Sequence, residues 1–310
     1  MICMKDVRKW STGVAIALLA TVATVSFTTP TYAETATSGS DVEITLSPTK
    51  VRLPMEPGAS KQDVFKVINT GDKDFTFKVY ASPYQVSNEK YDPTFSVETS
   101  RTQISRWISV PDEEFSLNPG DEVEVPYSIA VPKDVPAGGQ YAVIFAETTN
   151  DGADGGSIIA KKRVGLLVYG NISGDTREQG NIESNDLSSW QYSSPLTTQW
   201  RVKNTGNTDF AIKTKMTVKS VWGKELYSSP ETENTVLPDT VRAIDLQWQQ
   251  ARIGLYKVST TASFLDNSQT EESWVLVMSP ILLVLIVVVI SLIVAGAIYA
   301  IRKKRHAKKA

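Results

Sequence analysis

Two residue types that enzymes rely on for much of their chemistry occur once each, as Cys3 and His306, and both lie at the ends of the chain. Between them there is no thiol and no imidazole, so this stretch cannot build a Ser-His-Asp or Cys-His nucleophile, a His/Cys zinc site or a disulfide framework. Carboxylates remain. Glu113 and Glu114 are adjacent, but neighbours on a strand face opposite ways and cannot flank one bond. The segment Asn150-Asp151-Gly152-Ala153-Asp154-Gly155-Gly156 comes nearest to a calcium loop. It puts Gly152 and Lys161 where oxygen ligands are needed, so it reads as a solvated loop. The expectation is a non-enzyme with no catalytic residue, no cofactor and no metal.

The remaining chemistry is that of a binding surface. Arg201 and Lys203 alternate with Trp200 and Val202, while Lys213, Lys215 and Lys219 alternate with Phe210, Ile212, Met216 and Val218. Asp209 is the only acid within 201–219. Overall the chain holds 32 Lys+Arg and 34 Asp+Glu. With the basic ends set aside, the middle is acidic by about ten charges, which gives no global field for nucleic acid. The five cations therefore read as an anionic-ligand patch, or else as a solvated face. Among the tryptophans, Trp200 shares a face with Val202, and Trp248 with Ile244 and Leu246, so both read as core. Trp107, Trp190 and Trp222 are left as aromatic ligand contacts.

The elements that must carry these residues are strands. A seven-residue turn is written twice, as Asn69-Thr70-Gly71-Asp72-Lys73-Asp74-Phe75 and as Asn204-Thr205-Gly206-Asn207-Thr208-Asp209-Phe210. Both copies are flanked by apolar residues at every second position, which is strand, turn, strand, with Gly71 and Gly206 expected at φ > 0. Val123, Val125, Tyr127, Ile129 and Val131 alternate clearly. Tyr141–Ala146 and Val164–Tyr169 are apolar on both faces and read as central strands. Ser82–Arg101 reads as a long polar connection. No helical period appears in residues 34–278, so the pattern is two tandem β-sandwiches, 41–175 and 180–272.

The ends are different. Residues 1–33 read as a secretory signal peptide: basic residues, an apolar run and a Thr31-Tyr32-Ala33 cleavage site. Residues 279–301 read as a transmembrane helix, since Ile281–Ile301 spans roughly 31 Å at about 1.5 Å per residue. The basic tail 302–310 follows, so the C-terminus is expected in the cytoplasm and the sandwiches outside a plasma membrane crossed once.

The set Pro57-Gly58, Asn69-Thr70-Gly71, Trp107-Ile108, Leu117-Asn118-Pro119-Gly120, Val131-Pro132 and Pro136-Ala137-Gly138-Gly139-Gln140-Tyr141 resembles the N-terminal domain of the WxL-interacting cell-surface proteins of Gram-positive bacteria. More loosely, it resembles immunoglobulin-like domains of the pilus-chaperone type. The resemblance implies an all-β ectodomain of two tandem immunoglobulin-like β-sandwiches followed by a single transmembrane α-helix. It also implies peptidoglycan binding by the first domain and protein contacts by the second. The expected partners are a cell-wall polymer or another surface protein, in adhesion or envelope assembly. The alternative is a structural spacer or accessory subunit of an envelope complex.

Overall fold

The structure, a computed structural model, describes residues 42–149 and 161–307. The expected signal peptide and the Asn150–Gly156 loop lie outside the described residues.

In the first module β1 (Ile44–Ser47), β3 (Ser60–Asn69), β9 (Glu122–Ala130) and β7 (Ile108–Ser109) form one antiparallel sheet in that order. Facing it, β2 (Lys50–Met55), β11 (Arg163–Ile172), β10 (Gly138–Thr148), β4 (Phe75–Pro83) and β8 (Phe115–Leu117) form the second, with β2 parallel to β11. Period-two alternation fills the space between them: Val125, Tyr127 and Ile129 of β9 are buried while Glu124 and Pro126 are exposed. They pack with Phe65, Val67, Phe75, Phe77, Ile144 and Leu166 in one core. Truncating a fully buried aromatic such as Phe65 to Ala would cost about 3–5 kcal/mol.

The expectation that Tyr141–Ala146 is a central strand holds, and the structure gives the reason. One face of β10 lines the core, and the other is roofed by the connection after β4, which carries the short hairpin β5 (Gln85–Val86) and β6 (Pro93–Thr94). Phe95 stands edge-on to Phe145 at 4.9 Å, and the Arg163 guanidinium lies over Phe145 at 4.1 Å. What reads as a polar connection is thus the cover of a sheet.

The second module repeats the plan. β12 (Gly180–Asn185), β14 (Leu196–Asn204) and β18 (Val241–Trp248) form one sheet. The other runs β13 (Trp190–Gln191), β20 (Asn267–Val277), β19 (Gly254–Phe264), β15 (Phe210–Ser220), β16 (Glu225–Ser228), with β17 (Thr232–Val236) also on β15. In both modules the opening segment is shared between the sheets. β1 and β12 pair antiparallel with β3 and β14, whereas β2 and β13 pair parallel with the last strands, β11 and β20. That distribution of strands makes both modules immunoglobulin-like sandwiches. Trp200, Ile212, Met216, Val258 and Val275 fill the second core.

The last strand reaches Val277, so the expected module end at 272 falls inside β20. Val275 and Val277 still face the core, and the strand persists as long as its alternation does. Only Met278 and Ser279 separate it from the helix α1 (Pro280–Ala307). Proline at a first helical position loses only an amide that would have had no partner. The stretch Pro280–Tyr299 has a mean hydropathy of 3.4 and none of it is buried in the protein, so it is long and apolar enough to cross a membrane.

Candidate functional site

The repeated turn is the same device in both modules. Asn69 is fully buried; its Oδ1 accepts from the Gly71 amide at 3.0 Å and its Nδ2 donates to the carbonyls of Lys73 (2.8 Å) and Leu117 (3.2 Å). Asn204, equally buried, accepts from the Gly206 amide (2.8 Å) and donates to the carbonyls of Thr208 (2.8 Å) and Val236 (2.9 Å). Each asparagine thereby ties its turn to the strand beside it, β8 or β17. The expectation of φ > 0 at Gly71 and Gly206 fails, because among the described residues the left-handed glycines are Gly58, Gly120, Gly138, Gly174 and Gly223. The asparagine side chain closes the turn instead. Gly206 is needed for close approach: a Cβ there would lie 2.1 Å from the Arg177 carbonyl.

In the second copy the outer residues of the turn dock onto the first module. The Asn207 carbonyl accepts from the Gly139 amide (2.8 Å) and from Arg101 Nη1 (3.0 Å). Gly138, at φ +115°, must be glycine here, since a Cβ would sit 2.3 Å from that carbonyl. The buried Asp209 carboxylate pairs with Arg52 and accepts from the Tyr141 hydroxyl at 3.1 Å. Arg52 also donates to Thr235 Oγ1 (3.0 Å) and lies over the Tyr169 ring at 5.1 Å. Leu237 packs among Tyr84, Tyr141 and Tyr169. Tyr91 accepts from the Leu237 amide (2.8 Å), shares a hydrogen bond with Thr240 (2.6 Å), and is covered by the Arg242 guanidinium at 4.2 Å.

The electrostatics of this joint are those of a lock. Burial lifts the Tyr141 and Tyr169 hydroxyls far above the ordinary phenol range, so both stay neutral. Burial also pulls Arg242 below its ordinary value. At the rim Arg201 forks onto Glu89 with contacts of 2.7 and 2.5 Å, and that hydrogen bonding holds the Glu89 carboxyl below its usual range.

The five cations read as one patch do not come together. β14 and β15 lie in opposite sheets, so Arg201 and Lys203 stand on one outer face while Lys213, Lys215 and Lys219 stand on the other. Arg201 is spent on the joint, and Lys203 and Lys213 lie near Glu183 (4.0 Å) and Glu231 (3.4 Å). Trp107 packs against the first core after the 3-10 turn Gln103–Arg106. Trp190 and Trp222 are exposed and lie at the end of the second module that leads into α1.

The first module has a shallow groove of about 530 Å³ on the outer face of its four-stranded sheet. Val64 and Pro126, paired across β3 and β9, form an apolar floor, with Val110 and Pro111 on one wall and Gln62, Ser109 and Ser128 supplying polar atoms. In the sequence the outward Val64 and Pro126 look like breaks in the alternation rather than a site. Those breaks were its signal.

No protein-family model matches the chain, and no curated protein matches it. Several solved structures are similar. The class 5 fimbriae chaperone CfaA aligns over 74% of this chain and 99% of its own, at 10% identity and a TM-score of 0.39. The CsuC-CsuE chaperone-tip adhesion subunit pre-assembly complex of Acinetobacter baumannii aligns over 74% and 98%, at 10% identity and 0.39. The E. coli chaperone DraB aligns over 76% and 97%, at 13% identity and 0.37.

Proposed function

We propose that the chain is a membrane-anchored, non-catalytic surface protein that holds its first module at a set height and angle to bind a partner surface protein. The locked joint is the observation that supports this reading. Modules meant to move independently are linked by chain that leaves them undocked. Here the link 173–179 is itself held, with the Arg177 and Gln179 carbonyls accepting from the amides of Asn207 and Gly206 at 3.0 Å. β19 and β20 are 11 residues each, so the second module is a strut of roughly 36 Å at about 3.3 Å per residue. The joint is at its far end and α1 at its near end. On this reading Pro280–Tyr299 crosses the plasma membrane, and Arg302, Lys303, Lys304 and Arg305 stop transfer and keep the C-terminus in the cytoplasm. The groove on the first module is the surface offered to the partner. The finer identity, a WxL-interacting type of protein, rests on the motifs quoted from Pro57 to Tyr141 alone.

Full-length tagged protein, cross-linked in cells and purified in mild detergent, should carry a discrete surface protein that is lost with Val64→Arg and kept with the distant Leu265→Arg. The same protein should not be retained on purified wall sacculi. Retention on sacculi together with a protein capture indifferent to Val64→Arg would replace the protein partner by a wall polymer. Absence of both would leave the strut as a spacer.

A further inference from the structure

Among the described residues outside α1, 11 large hydrophobic side chains are exposed, and they are not scattered. Val64, Val97 and Leu265 lie elsewhere; the other eight are gathered at the end of the second module where β20 runs into the helix. The pairing shows why they converge. Ser220 at the end of β15 faces Tyr256, Gly254 at the start of β19 faces Val277, and Trp190 of β13 faces Leu276. The turns Val221–Lys224 and Gln249–Ile253 and the segment Tyr192–Pro195 therefore share one end with Met278 and Ser279. Trp222 is 91% exposed, Tyr192 66% and Ile253 62%. Trp274, three residues before the strand end, is within about 10 Å of it.

Local chemistry makes these residues protrude. Gly223 at φ +80° and the bonds Gly223 N to Ser220 O (2.9 Å) and Ser220 N to Lys224 O (2.8 Å) close a tight hairpin with Trp222 at its tip. The tryptophan sits roughly 10–14 Å from β20, two to three strand spacings away. The exit to the helix has no slack. The Met278 amide donates to the Gln191 carbonyl (2.9 Å), and Trp190 Nε1 donates to the Met278 carbonyl (2.9 Å). Tyr192 stacks edge-on to Trp190 at 5.6 Å. A recess of about 470 Å³ between Tyr192, Ala251, Ile253 and Val277 opens beside Ser279. The loops at this end hold two charges, Lys224 and Arg252, with the exposed Glu225 following at the start of β16.

We infer that this end of the second module is seated in the headgroup layer of the leaflet that α1 enters. Trp190, Tyr192, Trp222 and Ile253 lie at the acyl boundary, and Lys224 and Arg252 rest on lipid phosphates. The inference rests on the reading of α1 as a membrane span. Amphipathic rings with one polar edge favour that layer, and lysine and arginine favour its anionic groups. The two-residue exit puts the whole end within reach of it. A seat of this kind fixes the tilt of the strut relative to the membrane, which a lone helix would leave free.

The test uses the full chain in lipid nanodiscs on a Cys3→Ser background, with an environment-sensitive fluorophore on single cysteines at Trp222→Cys, Ile253→Cys, Val64→Cys and, in the helix, Val289→Cys. Nitroxide lipids serve as quenchers. At positions 222 and 253, quenching by shallow nitroxides should exceed that at 64 at least threefold, and 289 should respond to deep nitroxides. If 289 is quenched while 222 and 253 stay at the level of 64, the seat is wrong and the span stands. A blue-shifted but unquenched 222 or 253 means that protein covers this end, which also overturns the seat. If 289 is not quenched, the span fails and the seat with it.

Discussion

Replacing Asn204 by alanine removes three hydrogen bonds, those with the Gly206 amide and with the carbonyls of Thr208 and Val236; the amide keeps its bond to the Gln179 carbonyl, while the two carbonyls lose their side-chain donor. A net worth of about 0.5–1.5 kcal/mol per bond puts the loss near 3 kcal/mol, a large part of the 5–15 kcal/mol that holds a typical domain. For two modules of this size that is a fall in Tm of about 6–12 °C. Asn69→Ala should cost less, because its bond to Leu117 is longer (3.2 Å) and its turn is less deeply covered. Aspartate separates hydrogen bonding from packing. Asn204→Asp keeps the shape and the acceptor, but aims an anion at two carbonyl oxygens, so it should be worse than alanine. Urea unfolding of the full chain in micelles, followed by tryptophan fluorescence with the fully buried Trp200 as reporter, reads the difference. An Asn204→Asp protein as stable as Asn204→Ala, or both within about 0.5 kcal/mol of the parent, would refute the role given to the asparagine.

The joint makes two further predictions. Asp209→Ala leaves the Tyr141 hydroxyl buried without its acceptor, while Arg52, whose side chain is 44% exposed, can turn to water. The cost should be about 1–3 kcal/mol rather than that of a fully buried pair. Spin-label distances between the two modules should broaden, and an unchanged distribution would show that the lock lies elsewhere. The Glu89 carboxyl is held below its ordinary value of 4.5 by Arg201, so its contribution is complete above that value and is lost as pH falls through the depressed one. The stability gap between the parent and Glu89→Gln should therefore narrow as pH falls below 4.5. A gap independent of pH between 6 and 3 would count against the ion pair.

Period-two alternation, Asn-Thr-Gly turns and one long apolar run are local properties, and they determined the two sandwiches, their repeated turn and a helix fit to span a membrane. Nothing local separates Asp209 from Asp74, its counterpart in the first turn, yet one is buried against Arg52 and Tyr141 and the other is exposed. The difference is the docking of a second module, which is a contact between residues far apart in the chain. The cations at 201–219 failed as a patch for a related reason. Alternation tells which side of a strand a residue takes, but not to which sheet the strand belongs. The chain crosses from one sheet to the other between β14 and β15, so the same outward direction became two opposite faces. Trp190 and Trp222 were legible as exposed candidates. That they share one end of the module with Tyr192 and Ile253 was decided by strand pairing alone, because register brings distant turns to a common end.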